Sequence, residues 1–550
     1  MTTEMSFSNE PWSARDRDSY IKELSETEYD VLIVGGGITG GGVLRALALR
    51  GIKAALIEKE DFAFGTSSKS TRLAHGGVRY IKQGALGLVK EETHERDWMR
   101  GAFPNMVRPV PIIMANYSKF ESILMGGYLR FYDLLSGWGN YKRHRHLTKK
   151  EIGEMEPNIK IPGLHSGSLL YECIINDARL TCEVVKDGVL SGGTAVNYVE
   201  AKEIITSGGK CVGVEAMDLI SGNSFTIKSK NVVNATGPWT DELMPKEKNP
   251  MIRPAKGVHI IVKRESIGNV GGLYTKSPAD GRSCFVLAHG DYTYIGTTDT
   301  DYKGDLDECY TEREEYEYFK GIIDHCFPEG DFEEKDLIGS YAGTRPLVKE
   351  EGVDEDKTSR EEHIEEVSSG FFTITGGKLT IFRTMAEKLI NHMARCGAIH
   401  LKKEKKDISK SSIVIGMTKA EWERSVKANG TGLDEKTMTH IFENYGKGGL
   451  KIVDSVKRNP SLGDKFFPDQ PNIKAELEYC LKYEMVTRVK DFLLRRTNLS
   501  LHQRDQHKSL GQKVAVEMAK FLGWSKKRID EEVAEYVRIA ELNRFFLKKK

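Results

Sequence analysis

The chain of 550 residues is predicted to be an α/β protein with a Rossmann-type dinucleotide-binding domain, an antiparallel β subdomain and a C-terminal all-α domain. Three observations predict this class. A glycine-rich turn joins a strand to a helix near residue 35, apolar residues alternate through 252–300, and helical patterns fill the chain beyond residue 411. The length exceeds that of one ordinary domain, so two or three domains are expected.

The first element is a strand–turn–helix–strand unit close to the N-terminus. The apolar run 31–34 leads into Gly35, Gly37 and Gly40 in the spacing G-x-G-x-x-G, a helical pattern follows, and a second apolar run ends at Glu58. Gly35 allows the tight turn, Gly37 lets the backbone approach a pyrophosphate, and Gly40 lets the helix pack closely on the strand. The helix N-terminus attracts the phosphates through its N–H groups and its dipole. Glu58 can accept hydrogen bonds from ribose hydroxyls and repels a 2′-phosphate, so the unit predicts FAD or NAD rather than NADP.

Two further glycine turns distinguish a flavoprotein from a dehydrogenase that binds NAD alone. A strand at 232–233 leads into Ala235-Thr236-Gly237, and a strand that begins at Phe371 leads into Gly376-Gly377. An FAD fold uses such turns to close on the ribityl and isoalloxazine parts of the cofactor. The first domain is therefore predicted to be an α/β FAD-binding Rossmann-type domain, and its strand runs within 252–300 to form an antiparallel β substrate subdomain.

The chain divides into four predicted parts. They are a polar, partly helical lead-in at 1–28, an FAD-dependent oxidoreductase domain with an interleaved substrate subdomain at 29–400, a lysine-rich linker at 401–411 and a helical domain at 412–550. The helices expected in the last part are 418–429, 436–445, 473–483, 486–496, 512–522 and 529–546.

Composition excludes several function classes. Lys and Arg number 81 against 80 Asp and Glu, a net charge of +1, so no nucleic-acid partner is predicted. The eight cysteines form no C-x-x-C pair, which argues against a zinc site and a secreted disulfide framework and favours the cytoplasm; no metal ligands are predicted. No stretch of about 18 apolar residues occurs, so membrane contact is expected to be peripheral only, on the inner face of the cell membrane.

Long and unusual motifs give the chain its family resemblance. From about Leu24 to about Leu522 it resembles the FAD-dependent glycerol-3-phosphate dehydrogenases and oxidases. The resemblance rests on GTSSKSTRLAHGGVRYI (65–81), NDARLT (176–181), NATGPW (234–239), KGVHIIV (256–262), IGTTDTDYKGD (295–305), YAGTRPL (341–347), TGGKLTIFR (375–383) and DFLLRRT (491–497).

The motifs and the resemblance together imply a set of FAD contacts. They are Gly35, Gly37, Ile38, Thr39, Gly40, Glu58, Lys59, Ser67, Ser68, Arg72, Leu73, His75, Gly76, Gly77, Ala235, Gly237, Trp239, Gly343, Gly377, Lys378, Leu379 and Thr380. Thr297-Thr298-Asp299 is expected to close near the flavin ring.

The implied substrate, glycerol 3-phosphate, is a small dianion with a secondary alcohol at C2. Its phosphate needs fixed positive charge, and the predicted substrate-binding residues are Arg79, Tyr80, Arg345, Arg360 and Lys378, with Arg345 also assigned to catalysis. The planar fork of arginine binds phosphate through two hydrogen bonds, and lysine adds a point charge. The alternative is that these cations are surface or ion-pair residues.

Oxidation at C2 releases a proton as well as a hydride, so the site needs a base. His259 is the leading residue for that role because imidazole titrates near neutral pH. His259 could instead be a structural histidine beside the flavin, and His75 is the second choice for the base.

The electron acceptor is expected to be quinone, with O₂ (an oxidase that releases H₂O₂) as the alternative. The basic groups 526–528 and 548–550, with Phe545 and Phe546, are proposed to contact the membrane, against the alternative of a solvated helix end. A homodimer is left open. An amino-acid or 2-hydroxyacid oxidase and a flavin-binding scaffold without turnover are the remaining alternatives.

Overall fold

The computed structural model describes residues 12–77, 79–82, 84–137, 140–160, 162–330, 332–349, 361–402, 408–411, 416–426 and 432–547. Within these residues the chain forms three sheets with flanking helices and a separate helical part at the C-terminus. The predicted fold class is confirmed.

The central sheet carries the dinucleotide unit. Its strands, in spatial order among the described residues, are Glu362–Ser368, Phe371–Gly376, Val232–Asn234, Val31–Val34, Ala54–Glu58 and Thr194–Asn197. All neighbours are parallel except the first pair. Successive residues of Val31–Val34 face two different apolar cores, which explains why the strand is a continuous apolar run.

Helices cover one face of this sheet. The helix Ile38–Ala48 starts at the glycine turn and packs against Asp177–Leu190 and Phe382–Arg395. Glycines at the crossing point allow the close approach, because a Cβ on Gly42 would lie 2.9 Å from the ring of Phe382. The other helices that precede residue 400 are Arg17–Glu26, Arg79–Lys82, Leu86–Ala102, Lys119–Ser136, Lys149–Met155, Arg264–Ile267 and Arg313–Cys326.

The opposite face of the sheet carries a small four-stranded layer and the lead-in. The four strands are Glu28–Tyr29, Ser224–Ser229, Lys210–Asp218 and Val199–Ser207. The lead-in from residue 12 onward packs against the rest of the chain, because Trp12 is buried and its indole N–H donates to the carbonyl of Ala195 at 2.9 Å.

The second large sheet is antiparallel over most of its width, as predicted. Its described strands are Leu73–Ala74, Arg108–Asn116, Arg145–Leu147, Ser166–Ile174, Ile252–Lys263, Gly272–Lys276, Ser283–His289, Tyr292–Gly296, Thr300–Asp301 and Leu337–Val348. The two longest strands pair with each other, which places Ala255 opposite Arg345 and His259 opposite Tyr341. This register decides which predicted residues reach the site.

The C-terminal part is all-α, as predicted. Its described helices are Ile408–Ser411, Lys419–Val426, Glu435–Tyr445, Gly448–Arg458, Lys474–Tyr483, Val489–Asp491, His507–Leu522 and Lys526–Leu542, with a π-helical turn at Phe492–Arg496. Gly448–Arg458 has no counterpart among the predicted helices.

Phe546, one of the residues predicted to contact the membrane, packs inside the molecule. The side chain of Phe546 is buried and its ring stacks on Tyr316 at a centroid distance of 5.7 Å. Residues 548–550 lie outside the described residues. In the described part of the chain, every helix is too short or too polar to cross a bilayer.

Candidate active site

A cavity of about 540 Å³ lies between the central sheet and the second large sheet. Most of the predicted site residues line it, namely Gly35, Gly37, Ile38, Thr39, Glu58, Lys59, Ser67, Leu73, His75, Gly77, Tyr80, Ala235, Gly237, Trp239, Gly343, Arg345, Gly377, Lys378, Leu379 and Thr380. The fold thus brings together residues that are more than 300 positions apart in sequence.

The glycine turn has the geometry that a pyrophosphate requires. Gly35 has φ +113°, and a Cβ there would lie 2.5 Å from the carbonyl oxygen of Ala235, so the first two glycine turns touch. A Cβ on Gly37 would come near one atom only, Oγ of Ser67 at 3.2 Å, because the turn opens onto the cavity. The N-cap residue Gly37 has no side chain to cap the helix that starts at Ile38, but Oγ of Ser67 accepts the N–H of Ile38 at 2.9 Å. The dipole of the helix N-terminus favours an anion in the cavity beside this turn.

Gly40 and Gly76 do not line the cavity. Gly40 packs against the carbonyl of Gly35, the helix–strand contact that the motif predicted for it. The N–H of Gly76 faces the buried carboxylate of Glu172 at 3.2 Å, and its Cα lies against Tyr132. Both glycines therefore shape the wall from behind.

Glu58 fits the ribose of a dinucleotide. Its carboxylate accepts the N–H of Gly36 at 2.6 Å and the N–H of Glu60 at 2.8 Å, and it lines the cavity. Burial raises the pKa of Glu58 to about 7, although these two backbone donors act in the opposite direction. A ribose hydroxyl that donates to this carboxylate would compensate the same desolvation. The carboxylate of Glu58, as a hydrogen-bond acceptor, and the glycine turn together therefore fit FAD.

Arg345 is held rigidly at the wall. One Nη donates to the carbonyl of Thr298 at 3.2 Å and pairs with Asp299 at 3.1 Å, while the other donates to Oγ1 of Thr297 at 2.9 Å. The guanidinium lies against the backbone of Gly257, where a Cβ would stand only 2.5 Å from Nη2. The 297–299 segment thus orients the arginine.

Lys378 and Tyr80 form a second polar group on the wall. The ammonium of Lys378 lies 3.7 Å from the centroid of the Tyr80 ring and pairs with the fully buried carboxylate of Glu92. Glu92 comes from the helix Leu86–Ala102, and sequence reasoning did not select it, because nothing local marks a helical glutamate as the partner of a lysine so far along the chain.

The two histidines differ in their access to the cavity. His259 is 1% exposed, stacks on Tyr341 at 4.9 Å, contacts Oγ1 of Thr71 at 3.1 Å and does not line the cavity. Burial, reinforced by the positive charges of Arg345 and Arg72, holds the pKa of His259 well below its ordinary value, so the ring is neutral. His75 lines the wall, and its Nδ1 accepts the N–H of Gly77 at 3.1 Å.

Other predicted residues lie elsewhere. Arg72 is 2% exposed and does not line the cavity; its guanidinium donates to Tyr294 and Asn498, both at 3.1 Å, and therefore supports the 70–75 loop from behind. Ser68 also does not line the cavity. Arg79 belongs to a short helix but its side chain is not described, and Arg360 lies outside the described residues.

The cavity has an apolar section that sequence reasoning did not identify. Its lining includes Ile112, Met114, Met125, Leu170, Tyr274 and Phe285, from strands of the second sheet and from the helix Lys119–Ser136. The described residues contain no group of His, Cys, Asp and Glu side chains that could hold a metal ion.

Two protein-family models match the chain. Residues 30–383 match the model of the FAD dependent oxidoreductase family, and residues 384–529 match that of the C-terminal domain of alpha-glycerophosphate oxidase. The family boundary thus falls before the predicted linker.

Proteins similar over nearly the whole chain are known. The aerobic glycerol-3-phosphate dehydrogenase of Staphylococcus epidermidis is 34% identical over 508 residues, 88% of this chain and 89% of that protein. That of Bacillus subtilis is 34% identical over 507 residues, 89% and 90% of the two chains. The X-ray structure of glycerol-3-phosphate dehydrogenase from Bacillus halodurans with FAD has a TM-score of 0.79 at 28% identity, and covers 96% of this chain and 98% of that one.

Proposed function

The chain belongs to the FAD-dependent glycerol-3-phosphate dehydrogenase family, and from this premise we propose that it oxidises sn-glycerol 3-phosphate to dihydroxyacetone phosphate. One observation carries the proposal: Arg345, Lys378 and His75 line the same cavity as the glycine turn and Glu58. Two cations suited to bind a phosphate, a histidine and the dinucleotide unit therefore share one space.

Arg345 is proposed to bind the substrate phosphate. The contacts with 297–299 restrict its guanidinium to one plane, so little side-chain entropy remains to be lost when a phosphate binds. The pair with Asp299 also keeps the unliganded arginine from being an isolated charge. Lys378, held between Tyr80 and Glu92, is proposed as the second cation.

FAD, when bound, supplies the hydride acceptor for C2; the protein orients the substrate and handles the proton. We assign the proton to His75 because it is the histidine of the pair that lines the cavity. Nδ1 of His75 accepts the N–H of Gly77, so Nε2 carries the hydrogen of the neutral ring. To take the proton of the C2 hydroxyl, the ring must release Gly77 and adopt the other tautomer, with its hydrogen on Nδ1 and the lone pair of Nε2 facing the hydroxyl. The hydroxyl proton then passes to Nε2.

The electron acceptor is proposed to be quinone, with O₂ as the alternative. The apolar section of the cavity supports this choice, because a quinone ring needs an apolar approach to the flavin whereas O₂ does not. A homodimer stays a prediction.

Anaerobic titration tests the proposed reaction. Glycerol 3-phosphate should bleach the visible flavin band of the purified protein, and glycerol, which lacks the phosphate, should bleach it far more slowly. Amino acids and 2-hydroxyacids serve as the comparison. Bleaching by one of them but not by glycerol 3-phosphate would refute the substrate assignment, and an unresponsive flavin would indicate a scaffold. Re-oxidation by a quinone analogue and by O₂, measured side by side, then identifies the acceptor.

A further inference from the structure

Among the described residues, lysine and arginine side chains line the cavity at six positions, and five of them already have a carboxylate partner. The five ion pairs are Lys59–Asp307, Lys202–Glu200, Lys276–Glu121, Arg345–Asp299 and Lys378–Glu92. The sixth cation is Lys69. No carboxylate in the described part of the chain forms an ion pair with its ammonium. Lys69 is therefore the cavity cation whose charge the protein itself leaves unbalanced.

The loop that carries Lys69 is fixed to the strand Leu337–Val348 on both sides of the lysine. Two hydrogen bonds do this, from Oγ1 of Thr66 to the carbonyl of Thr344 at 2.6 Å and from the hydroxyl of Tyr341 to the carbonyl of Ser70 at 2.8 Å. Between them the stem of Lys69 lies over Gly343, where a Cβ would stand 2.6 Å from Cβ and 2.9 Å from Cδ of the lysine. The glycine thus provides the space in which Lys69 reaches the cavity.

The ammonium of Lys69 lies on the cofactor side of the cavity. Its Nζ is 5.5 Å from the centroid of the Phe64 ring, and Phe64 lies 6.0 Å from the ring of Trp239, which Lys59 contacts at 4.8 Å. Ser67, two residues before Lys69, accepts the first N–H of the helix at the glycine turn. Lys69 therefore belongs to the wall that carries the glycine turn and the end of the ribose-binding strand.

The surroundings of Lys69 make a bound anion favourable. Burial by the cavity wall lowers the pKa of Lys69 below its ordinary value, and Arg495 adds to this effect. Asp307 acts in the opposite direction, but its carboxylate is paired with Lys59 at 2.9 Å. Cys309 is also near, but burial raises the pKa of its thiol, which is therefore neutral. Because a buried charge without a partner is costly, a negatively charged ligand group beside Lys69 would be stabilised.

We propose that Lys69 binds the pyrophosphate of FAD. The helix N-terminus at the glycine turn offers the equivalent of about half a positive charge, whereas each phosphate of the cofactor carries a full negative charge. A lysine adds the missing charge as a point charge, without a required plane of approach. The substrate phosphate is the other phosphate in this cavity, but Lys69 lies beside the glycine turn. The inference rests on FAD binding and not on the proposed substrate.

FAD binding to the deflavinated full chain, measured by quenching of flavin fluorescence, tests the proposal. Lys69→Met keeps the stem and removes the charge, so it should raise the Kd of FAD by roughly 10–100-fold. Lys69→Arg keeps the charge and should recover most of this loss. ADP, which contains the pyrophosphate, should compete less well in Lys69→Met by the same factor, whereas adenosine should compete equally in both proteins. Lys276→Met is the matched control, because it removes a paired cation of the same cavity and should bind FAD like the wild type.

The stability of the apoprotein separates cofactor binding from a structural role. Because Lys69 has no ion-pair partner in the described part of the chain, Lys69→Met should leave the thermal midpoint of the apoprotein unchanged or raise it. The rise of that midpoint on saturation with FAD should become smaller, since binding energy is lost. An apoprotein destabilised as much as the holoprotein, with an unchanged Kd of FAD, would make Lys69 a structural residue and overturn the proposal.

Substrate kinetics distinguish the two phosphates. At saturating FAD, Lys69→Met should keep the wild-type KM for glycerol 3-phosphate. A raised KM with unchanged binding of FAD and ADP would assign Lys69 to the substrate phosphate and overturn the pyrophosphate assignment. If FAD and ADP respond as expected but glycerol 3-phosphate does not bleach the wild-type flavin, the proposed function fails while the role of Lys69 stands.

Discussion

Gly257→Ala tests the position of Arg345 with a single added methyl group. The new Cβ would lie 2.5 Å from Nη2, 2.7 Å from Nη1 and 2.8 Å from Cζ of Arg345. Ordinary contacts of this kind need about 3.5–4 Å, so the guanidinium must move by roughly 1 Å. Gly257 lies within a regular strand and its φ is not positive, so alanine fits the backbone. The fold should therefore keep nearly all of its stability while the arginine is displaced.

A displacement of this size has a calculable kinetic effect. Misplacing a positioning group by about 1 Å costs on the order of 10²-fold in rate, which corresponds to about 2.7 kcal/mol in kcat/KM. Truncation by Arg345→Ala should lower kcat/KM by an amount equivalent to roughly 2–5 kcal/mol, because the charge is desolvated against phosphate. Since both changes act on one group, the double variant should be no slower than Arg345→Ala alone.

The assay is anaerobic flavin reduction at several concentrations of glycerol 3-phosphate, with FAD content and the thermal midpoint measured for each variant. Gly321→Ala is the matched control, because a Cβ there meets nothing within 4 Å. If Gly257→Ala keeps full kcat/KM, or if the two single effects add in the double variant, then Arg345 does not bind substrate from this position.

Two further predictions concern the proton and the domain contact. His75→Asn should slow flavin reduction by roughly 10²–10⁴-fold. His259→Asn changes a buried neutral ring behind the cavity wall and should slow flavin reduction less than about tenfold. Stopped-flow measurements of both variants over a range of pH check this, and a larger loss of rate in His259→Asn than in His75→Asn would return the base role to His259. Arg496→Met should lower the free energy of unfolding by about 3–5 kcal/mol, because it breaks a buried ion pair with Asp61. Against the effect of burial, Arg496 and Arg495 hold the pKa of Asp61 down at about 2, so this stabilisation is present above the ordinary carboxyl pKa and is lost as pH falls from about 4 toward 2. Denaturant titrations of both proteins from neutral pH down to about pH 2 measure this difference. Equal stability of the two proteins at neutral pH would contradict the prediction.

Local chemistry made part of the site predictable. The glycine turn and Glu58 follow from spacing within one short segment, and the structure places both on the cavity wall. The position of His259 could not be derived in this way. Gly257 and His259 share one face of a strand but lie roughly 6.5 Å apart along it. The register with the distant strand Leu337–Val348 leaves Gly257 at the cavity and places His259 under Thr71 and Tyr341.

Sequence reasoning did not identify the buried carboxylates, for a related reason. Glu92 pairs with Lys378 across almost 300 positions, and Glu172 faces Gly76 from another strand. A glutamate in a helix or strand is ordinarily a solvated residue, so only the tertiary contact identifies it. Sequence reasoning also did not find which side of the helix Lys119–Ser136 is exposed, because a helix with apolar residues on both sides gives no pattern that tells which side is covered.

The helical domain contributes two arginines to the segment that follows Glu58. Asp61 lies three residues beyond Glu58, the last residue of the strand Ala54–Glu58, and accepts from Arg495 at 2.6 Å and from Arg496 at 2.7 and 2.9 Å. The adjacent N–H of Ala63 donates to the carbonyl of Gly36 in the glycine turn at 3.0 Å. A carboxylate buried this completely is tolerated only with its cationic partners, and both partners come from the motif DFLLRRT of the helical domain. The segment 58–63, which returns from Glu58 to the glycine turn, therefore depends on the helical domain for its charge balance. This ion pair gives the motif at 491–497, so distant in sequence, its place beside the dinucleotide unit.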